Sequence, residues 1–411
     1  MNKQQLLAAF ADKFNGAQGT VYASPGRINL IGEHTDYHGG FVFPGAVQQG
    51  IMAVIRPNGT DTVRAFSLDL NEYGEWPVND PNGPKETCLR FVYGVARELI
   101  ERGVAVKGFD TVFAGDVPLG AGMSSSAALE SCFAFGLNEQ FGGSISKWDM
   151  VLAGQATEHK YIGCNCGIMD QFASVFGQAG KLMRLDCRSR EFEYFPFDPK
   201  GYKLVLVNSC VKHELAGSPY NDRRRSCETV TKAIQALHPD RKIETLRDCT
   251  WEDLEEVRRD QGLSTKDQGP STKDQGPSTK DQGPSTKVTE EDIKRAKFVL
   301  GEKDRVLAVC DALVKGDYEE VGRQMYRTHE GLSKEYEVSC EELDYLNDIA
   351  KQCGVSGSRI MGGGFGGCTI NLVKDERYEA FCKRAVEAFE AKYGHKPVII
   401  DVVIGDGSRR V

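Results

Sequence analysis

The sequence predicts a two-domain α+β protein, and three observations carry that reading. Strand-like and helix-like stretches are mixed in both halves of the chain. Its 411 residues, 40% of them hydrophobic, can bury a large core and are expected to split into two lobes, residues 1–205 and 206–411. Glycine clusters recur between these stretches, where backbone must turn tightly or approach a neighbour closely.

Charge and composition exclude several partner classes. With 59 acidic against 51 basic residues, a net charge of -8 and no long basic block, neither nucleic acid nor an anionic membrane is an expected partner. No apolar run is long enough to span a bilayer. The 13 cysteines are odd in number and scattered without a CxxC pair, so they read as reduced thiols in a cytoplasmic protein. Cys164 and Cys166 lie close together but lack a second pair at metal spacing, which favours packed thiols over a metal site.

Taken in order, Gln4 to Phe14 sets Leu6, Leu7, Phe10 and Phe14 at helical spacing and forms an amphipathic helix rather than a signal peptide. A strand at Thr20 to Ala23 leads into SPGRINLIGEHTDYHGGFVFPGAV, Ser24 to Val47, where Arg27, Glu33, His34 and Asp36 sit among glycines and apolar residues. Charges in a partly buried segment need partners. A sugar's hydroxyls and an internal ion-pair network are both suitable. Strands follow at Ile51 to Arg56 and Thr62 to Leu68, then a helix at Glu86 to Arg102 with Leu89, Val92, Tyr93, Ala96 and Leu99 on one face.

The stretch PLGAGMSSSAALE, Pro118 to Glu130, lies between a strand at Phe109 to Ala114 and a buried helix at Ala127 to Leu137. Gly120, Ala121, Gly122 and Met123 form its turn, and Ser124, Ser125 and Ser126 open the helix. The free amides of a helix N-terminus attract an anion, so the turn reads either as a phosphate seat or as an ordinary serine-capped helix start. It is not a Walker loop, because no G-x-x-x-x-G-K-[ST] occurs in the chain. One serine hydroxyl facing a triphosphate suits magnesium, which takes oxygen ligands.

Two helices, Lys147 to Tyr161 and Ile168 to Phe176, flank GCNCG and offer Glu158 and Asp170 near a glycine break, as site carboxylates or as solvated helix charges. Strands at Leu182 to Leu185, Phe192 to Phe195 and Lys203 to Asn208 precede a polar turn with Tyr220 and a run from Arg223 to Arg225, which reads as a solvated helix start or, with less support, as a phosphate contact. Asp260 to Lys287 holds DQGLSTK and three copies of DQGPSTK, too polar and too rich in Gly-Pro to fold alone, and is expected to be a flexible loop. Helices at Thr289 to Leu313, Tyr318 to Ser333 and Cys340 to Cys353 follow. SRIMGGGFGGCTINLV, Ser358 to Val373, reads as strand, glycine turn and strand, before a helix at Glu376 to Tyr393 and a strand at Val398 to Ile404.

Three glycine-rich motifs in this order resemble the GHMP small-molecule kinases, and GRINLIGEHTDY with CGIMDQF is similar to the galactokinase branch. The resemblance runs from about Thr20 to the C-terminus, most of the repeat excepted. It implies a two-lobed GHMP kinase fold: an N-terminal lobe with a mixed sheet, a C-terminal lobe with an antiparallel sheet and helices, and an active site in the cleft between. The implied activity is ATP-dependent phosphorylation of the anomeric hydroxyl of α-D-galactose to galactose 1-phosphate, the first committed step of galactose catabolism, with Mg2+ as cofactor, galactose and ATP as partners, and a monomer.

Carried over by motif, Asp170 and Arg27 become the catalytic pair. Glu33, His34, Asp36, Gly167 and Tyr220 line the sugar pocket, Gly120 to Ser126 seat the nucleotide phosphates, and Ser126 with Glu158 holds the metal. His38 and Met123 depart from the family's usual residues without touching this chemistry. Two other readings compete: a kinase for a related sugar such as N-acetylgalactosamine or arabinose, and a non-catalytic galactose- and ATP-binding sensor. Sensors related to galactokinases can lose residues in the serine motif, and SSSAA is intact here.

Overall fold

The computed structural model describes residues 2–118, 120–211, 219–263 and 287–411. Leu119 of the expected phosphate loop, residues 212–218 and nearly all of the heptapeptide repeat lie outside them, so the expected flexible loop is not described.

A six-stranded sheet organises the first half of the chain, in the order Arg409–Arg410, Thr20–Asn29, Pro44–Pro57, Phe109–Gly115, Thr62–Ser67 and Glu72–Pro77. It is mixed because Thr62–Ser67 runs parallel to Phe109–Gly115 while the other pairs are antiparallel. The crossover between those two strands includes the helix Thr87–Glu101, as parallel connections require.

Alternation along the strands buries both faces. Ala53, Ile55 and Phe113 point toward Phe133 and Leu137 of the helix Ser125–Gln140, whereas Val54, Val112 and Ala114 meet Leu6 and Phe10 of the first helix, Lys3–Lys13.

The second sheet is antiparallel throughout, in the order Gly357–Met361, Cys368–Lys374, Tyr202–Asn208 and Val398–Asp401. The helices Glu341–Gln352 and Asp375–Tyr393 pack on it through Leu346, Ile349, Phe381 and Phe389, against Val205, Val207 and Val373. A small antiparallel sheet of Phe41–Val42, Lys181–Asp186 and Phe192–Pro196 lies alongside.

Several elements differ from expectation for local reasons. The division at 205/206 falls inside the strand Tyr202–Asn208, which belongs wholly to the second sheet, and the tail returns to pair Arg409 and Arg410 with Ala23 and Tyr22. The strand expected at Thr20 to Ala23 runs on to Asn29 through a register shift between Pro25 and Arg27. The helix from Lys147 ends at Thr157 and continues as a π-helical turn, Glu158–Ile162, a rare form that often marks a functional site. The strand Glu72–Pro77 and the helix Trp251–Asp260 are additional.

Candidate active site

The site begins at the irregular strand turn around Gly26. A side chain at Gly26 would meet the carbonyl of Met123 at 2.6 Å, so this turn lies directly against the glycine loop. Arg27 N–H donates to Met123 O at 3.0 Å and its guanidinium to Gly122 O. The other edge of the guanidinium forks onto Asp170: Nε to Oδ1 at 2.8 Å and Nη2 to Oδ2 at 3.0 Å, a bidentate pair that fixes the carboxylate plane. Arg27 is 4% exposed, whereas the Asp170 side chain keeps 31% of its surface open and can still receive a ligand.

Ser124 supplies a third donor to Asp170 through its hydroxyl. It sits at the N-cap of the helix Ser125–Gln140 in a left-handed conformation, φ 57°, and makes no side-chain cap. The serine-cap reading therefore fails at this residue, whose strained backbone and hydroxyl are given to the aspartate instead.

The two distant glycine loops meet. Gly122, at φ +70°, has the Met361 carbonyl 2.8 Å from where a Cβ would stand, with Gly362 Cα 3.8 Å away; only a residue without a side chain fits this approach. From the second loop, Gly362 N–H donates to Glu33 Oε1, and Asn29 Nδ2 donates to Glu33 Oε2. Arg359 lies 3.5 Å from Glu33 and is fully buried, donating to the carbonyls of Leu30 and Asn29. Glu302 accepts from Gly32 N at 2.8 Å and from Glu33 N at 3.3 Å, tying the first motif to the long helix Glu290–Lys315.

Asp36 opens a short 3₁₀ turn, Asp36–His38, and Gly167 packs onto its carboxyl so tightly that a Cβ would stand 1.9 Å from Oδ2. His34 Nδ1 lies 2.6 Å from the Tyr37 hydroxyl, and the ring of Tyr220 stands 5.4 Å from His34 and 5.5 Å from Tyr37. Tyr336 completes this aromatic wall, its hydroxyl 3.0 Å from that of Tyr37. Arg223 donates to the carbonyls of Tyr336 and Glu337, so it braces the wall.

Burial shapes the charge states. It pushes Asp36 up to about 7, helped by the neighbouring Asp170 charge, and drives His34 down to about 3, leaving the imidazole neutral at pH 7. It also pushes Glu158 up to about 7, opposed by the Ser126 hydroxyl and assisted by Asp170. A buried carboxyl short of positive partners, beside a hydroxyl at a helix start, is a donor set of hard oxygens. That set fits a magnesium ion.

The structure thus gathers Arg27, Glu33, His34, Asp36, Gly167, Asp170 and Tyr220 around one region. Gly120 lies against the second glycine loop, its carbonyl 3.0 Å from where a Gly367 Cβ would stand, while Ala121 and Met123 are buried beneath the turn. Ser125 begins the helix, and Ser126 faces Glu158. Sequence reasoning missed Asn29, Tyr37, Glu302, Tyr336 and Arg359. A lone arginine in the apolar run before a glycine turn was the available signal for Arg359.

Residues 8–57 match the galactokinase galactose-binding signature, residues 90–178 the GHMP kinases N terminal domain and residues 310–392 the GHMP kinases C terminal domain. The chain is 35% identical to the galactokinases of Exiguobacterium sibiricum and Clostridium beijerinckii, in each case across 100% of this chain and 99% of the relative. It superposes on the crystal structure of Lactococcus lactis galactokinase complexed with galactose with a TM-score of 0.86, at 31% identity and covering 99% of both chains. The mevalonate kinase of Methanococcus jannaschii, 17% identical with a TM-score of 0.61 and 95% of this chain covered, shares the fold. With sequence matches running end to end and the two glycine loops packed against each other, the chain belongs to the galactokinase family of GHMP kinases.

Proposed function

We propose that this protein transfers the γ-phosphoryl group of ATP to the anomeric hydroxyl of α-D-galactose, releasing galactose 1-phosphate and ADP. The observation that carries the reading is the fork of Arg27 on a partly open Asp170, set beside the glycine loop at a helix N-terminus. Phosphoryl transfer needs in-line placement and neutralised charge more than covalent chemistry, and these groups supply both. The sugar hydroxyl gives its proton to Asp170, its oxygen bonds to the γ-phosphorus, and the bond to the β–γ bridging oxygen breaks as ADP leaves. Arg27 holds the carboxylate in place and balances the charge that builds on the transferring group.

The pocket wall of Glu33, His34, Asp36, Gly167 and Tyr220 faces the sugar, and the amides from Gly120 to Ser126 face the phosphates. Ser126 and Glu158 would hold magnesium, which when bound neutralises the phosphate oxygens. A panel of sugars compared by kcat/KM, with ATP and magnesium, tests the reading: galactose should lead, and absence of turnover from folded protein rejects it. Asp170→Ala should reduce kcat by at least about 10²-fold, as expected for loss of a general base, with ATP binding retained. Near-normal turnover removes Asp170 from this role.

A further inference from the structure

One buried carboxyl near the site has no part in the steps above. Glu130 lies on the helix whose N-terminus forms the phosphate seat and is fully buried. Gln171, 1% exposed and the residue after Asp170, donates from Nε2 to Glu130 Oε2 at 2.9 Å. Gly154 closes the third side: a Cβ there would stand 2.8 Å from Gln171 Cγ and 3.2 Å from Glu130 Oε2. Gly154 belongs to the helix Lys147–Thr157, which leads straight into Glu158. The elements bearing the phosphate seat, Glu158 and Asp170 therefore converge on a single side-chain hydrogen bond.

That bond is costly to maintain as mere packing. Among the described residues, Glu130 Oε1 and Gln171 Oε1 have no hydrogen-bond partner although both are buried. Each such group carries a desolvation cost that apolar side chains of the same shape would avoid. Burial, with the nearby Glu158 charge adding to it, pushes the Glu130 carboxyl well above the usual range, and the bond from Gln171 opposes that shift. What the pair supplies in return is register, since it links two rigid elements whose relative position sets the distance from the transferring phosphate to Asp170.

We propose that Glu130 is a positioning residue, whose bond to Gln171 holds Asp170 in line with the phosphate seat. The inference rests on the role given to Asp170 above. A misplacement of about 1 Å at a reacting group costs about 10²-fold in rate, so removing the tether should act on kcat.

The test compares variants of the full chain in steady-state kinetics. Glu130→Leu should lower kcat by about 10- to 100-fold while KM for galactose and for ATP stays within about threefold. Glu130→Gln, whose amide oxygen accepts the same bond, should keep kcat within about threefold of the parent. Gln171→Leu should match Glu130→Leu, and the double variant should be no worse than either, because both substitutions remove one interaction. Should Glu130→Leu not fold, Gln171→Leu carries the same test from the other end of the bond.

A normal kcat for the leucine variants, a Glu130→Gln as impaired as Glu130→Leu, or additive losses in the double variant would each overturn the proposal. Asp170→Ala run alongside separates the two readings. An active Asp170→Ala sinks the base assignment, whereas an inert Asp170→Ala with a normal Glu130→Leu sinks the positioning role alone.

Discussion

Replacing Gly167 with alanine isolates the sugar pocket from everything else in the protein. The backbone at Gly167 does not occupy the left-handed region, so alanine introduces no conformational strain there, and the effect comes from one methyl group. That carbon would stand 1.9 Å from Asp36 Oδ2 and 2.2 Å from Cγ, whereas ordinary contact begins at 3.4 Å, which requires a separation of about 1.5 Å more. The neighbouring loop cannot absorb this easily, because Thr35 is anchored by its hydroxyl to Gly32 O at 3.0 Å and Phe41 O at 2.7 Å. Displacing a substrate-positioning group by more than 1 Å costs about 10²-fold, close to 2.7 kcal/mol of transition-state stabilisation. Steady-state kinetics with galactose varied at saturating ATP, and the reverse, should show kcat/KM for galactose down by about 100-fold. KM for ATP should change by less than about twofold, since the phosphate loop is untouched. A galactose kcat/KM within threefold of the parent would refute the packing of Gly167 on Asp36 as a feature of the working site.

Two further outcomes follow from the buried charges. Burial pushes Glu158 up to about 7, against 4.5 for an unperturbed glutamate. The native state thus binds more protons than the unfolded state between those values, and stability falls as pH rises through that window. Asp36 and Glu130, raised by burial, act in the same direction, whereas His34 and His38, lowered to about 3, act in the opposite one, so the readout is the difference between variant and parent. From pH 5 to pH 7.5 the urea midpoint of Glu158→Gln should fall less, or rise more, than that of the parent; an identical pH dependence would count against the assignment. Glu302→Leu removes an acceptor that is fully buried and also takes Arg305 Nε at 2.6 Å and Thr328 Oγ1 at 2.8 Å. Chemical denaturation should show a loss of about 3–5 kcal/mol, as for other broken buried ion pairs. A loss below 1 kcal/mol would mean the neighbours re-pair.

What the sequence made legible was local. The apolar spacing from Leu89 to Leu99 marked the helix Thr87–Glu101, and the glycine, serine and carboxylate motifs named most residues of the site. Long-range partners were not legible. Arg359 reaches back to Asn29 and Leu30, and Glu302 to Gly32, through folding that no spacing rule records. Ser124 had two sensible local readings, and its bond to Asp170 is neither of them.

Glu72–Pro77 hides because it is an edge strand carrying Gly74 and Pro77, both poor strand signals. The helix Trp251–Asp260 starts at a capping box of Thr250 and Asp253, a signal that the reading of the sequence missed. Its dense charge leaves only a narrow apolar stripe of Leu254 and Val257, which masked the periodicity.

The backbone contact between Gly122 and Gly362 also bears on how the protein acquires its activity. Each turn can form early from its own neighbours, but their meeting requires closing a very long stretch of chain, and such contacts come late. During refolding from denaturant, circular dichroism should therefore recover ahead of turnover. A chain arrested before the two turns dock would present its serine loop and its aspartate to solvent, rich in native secondary structure yet inert as a catalyst.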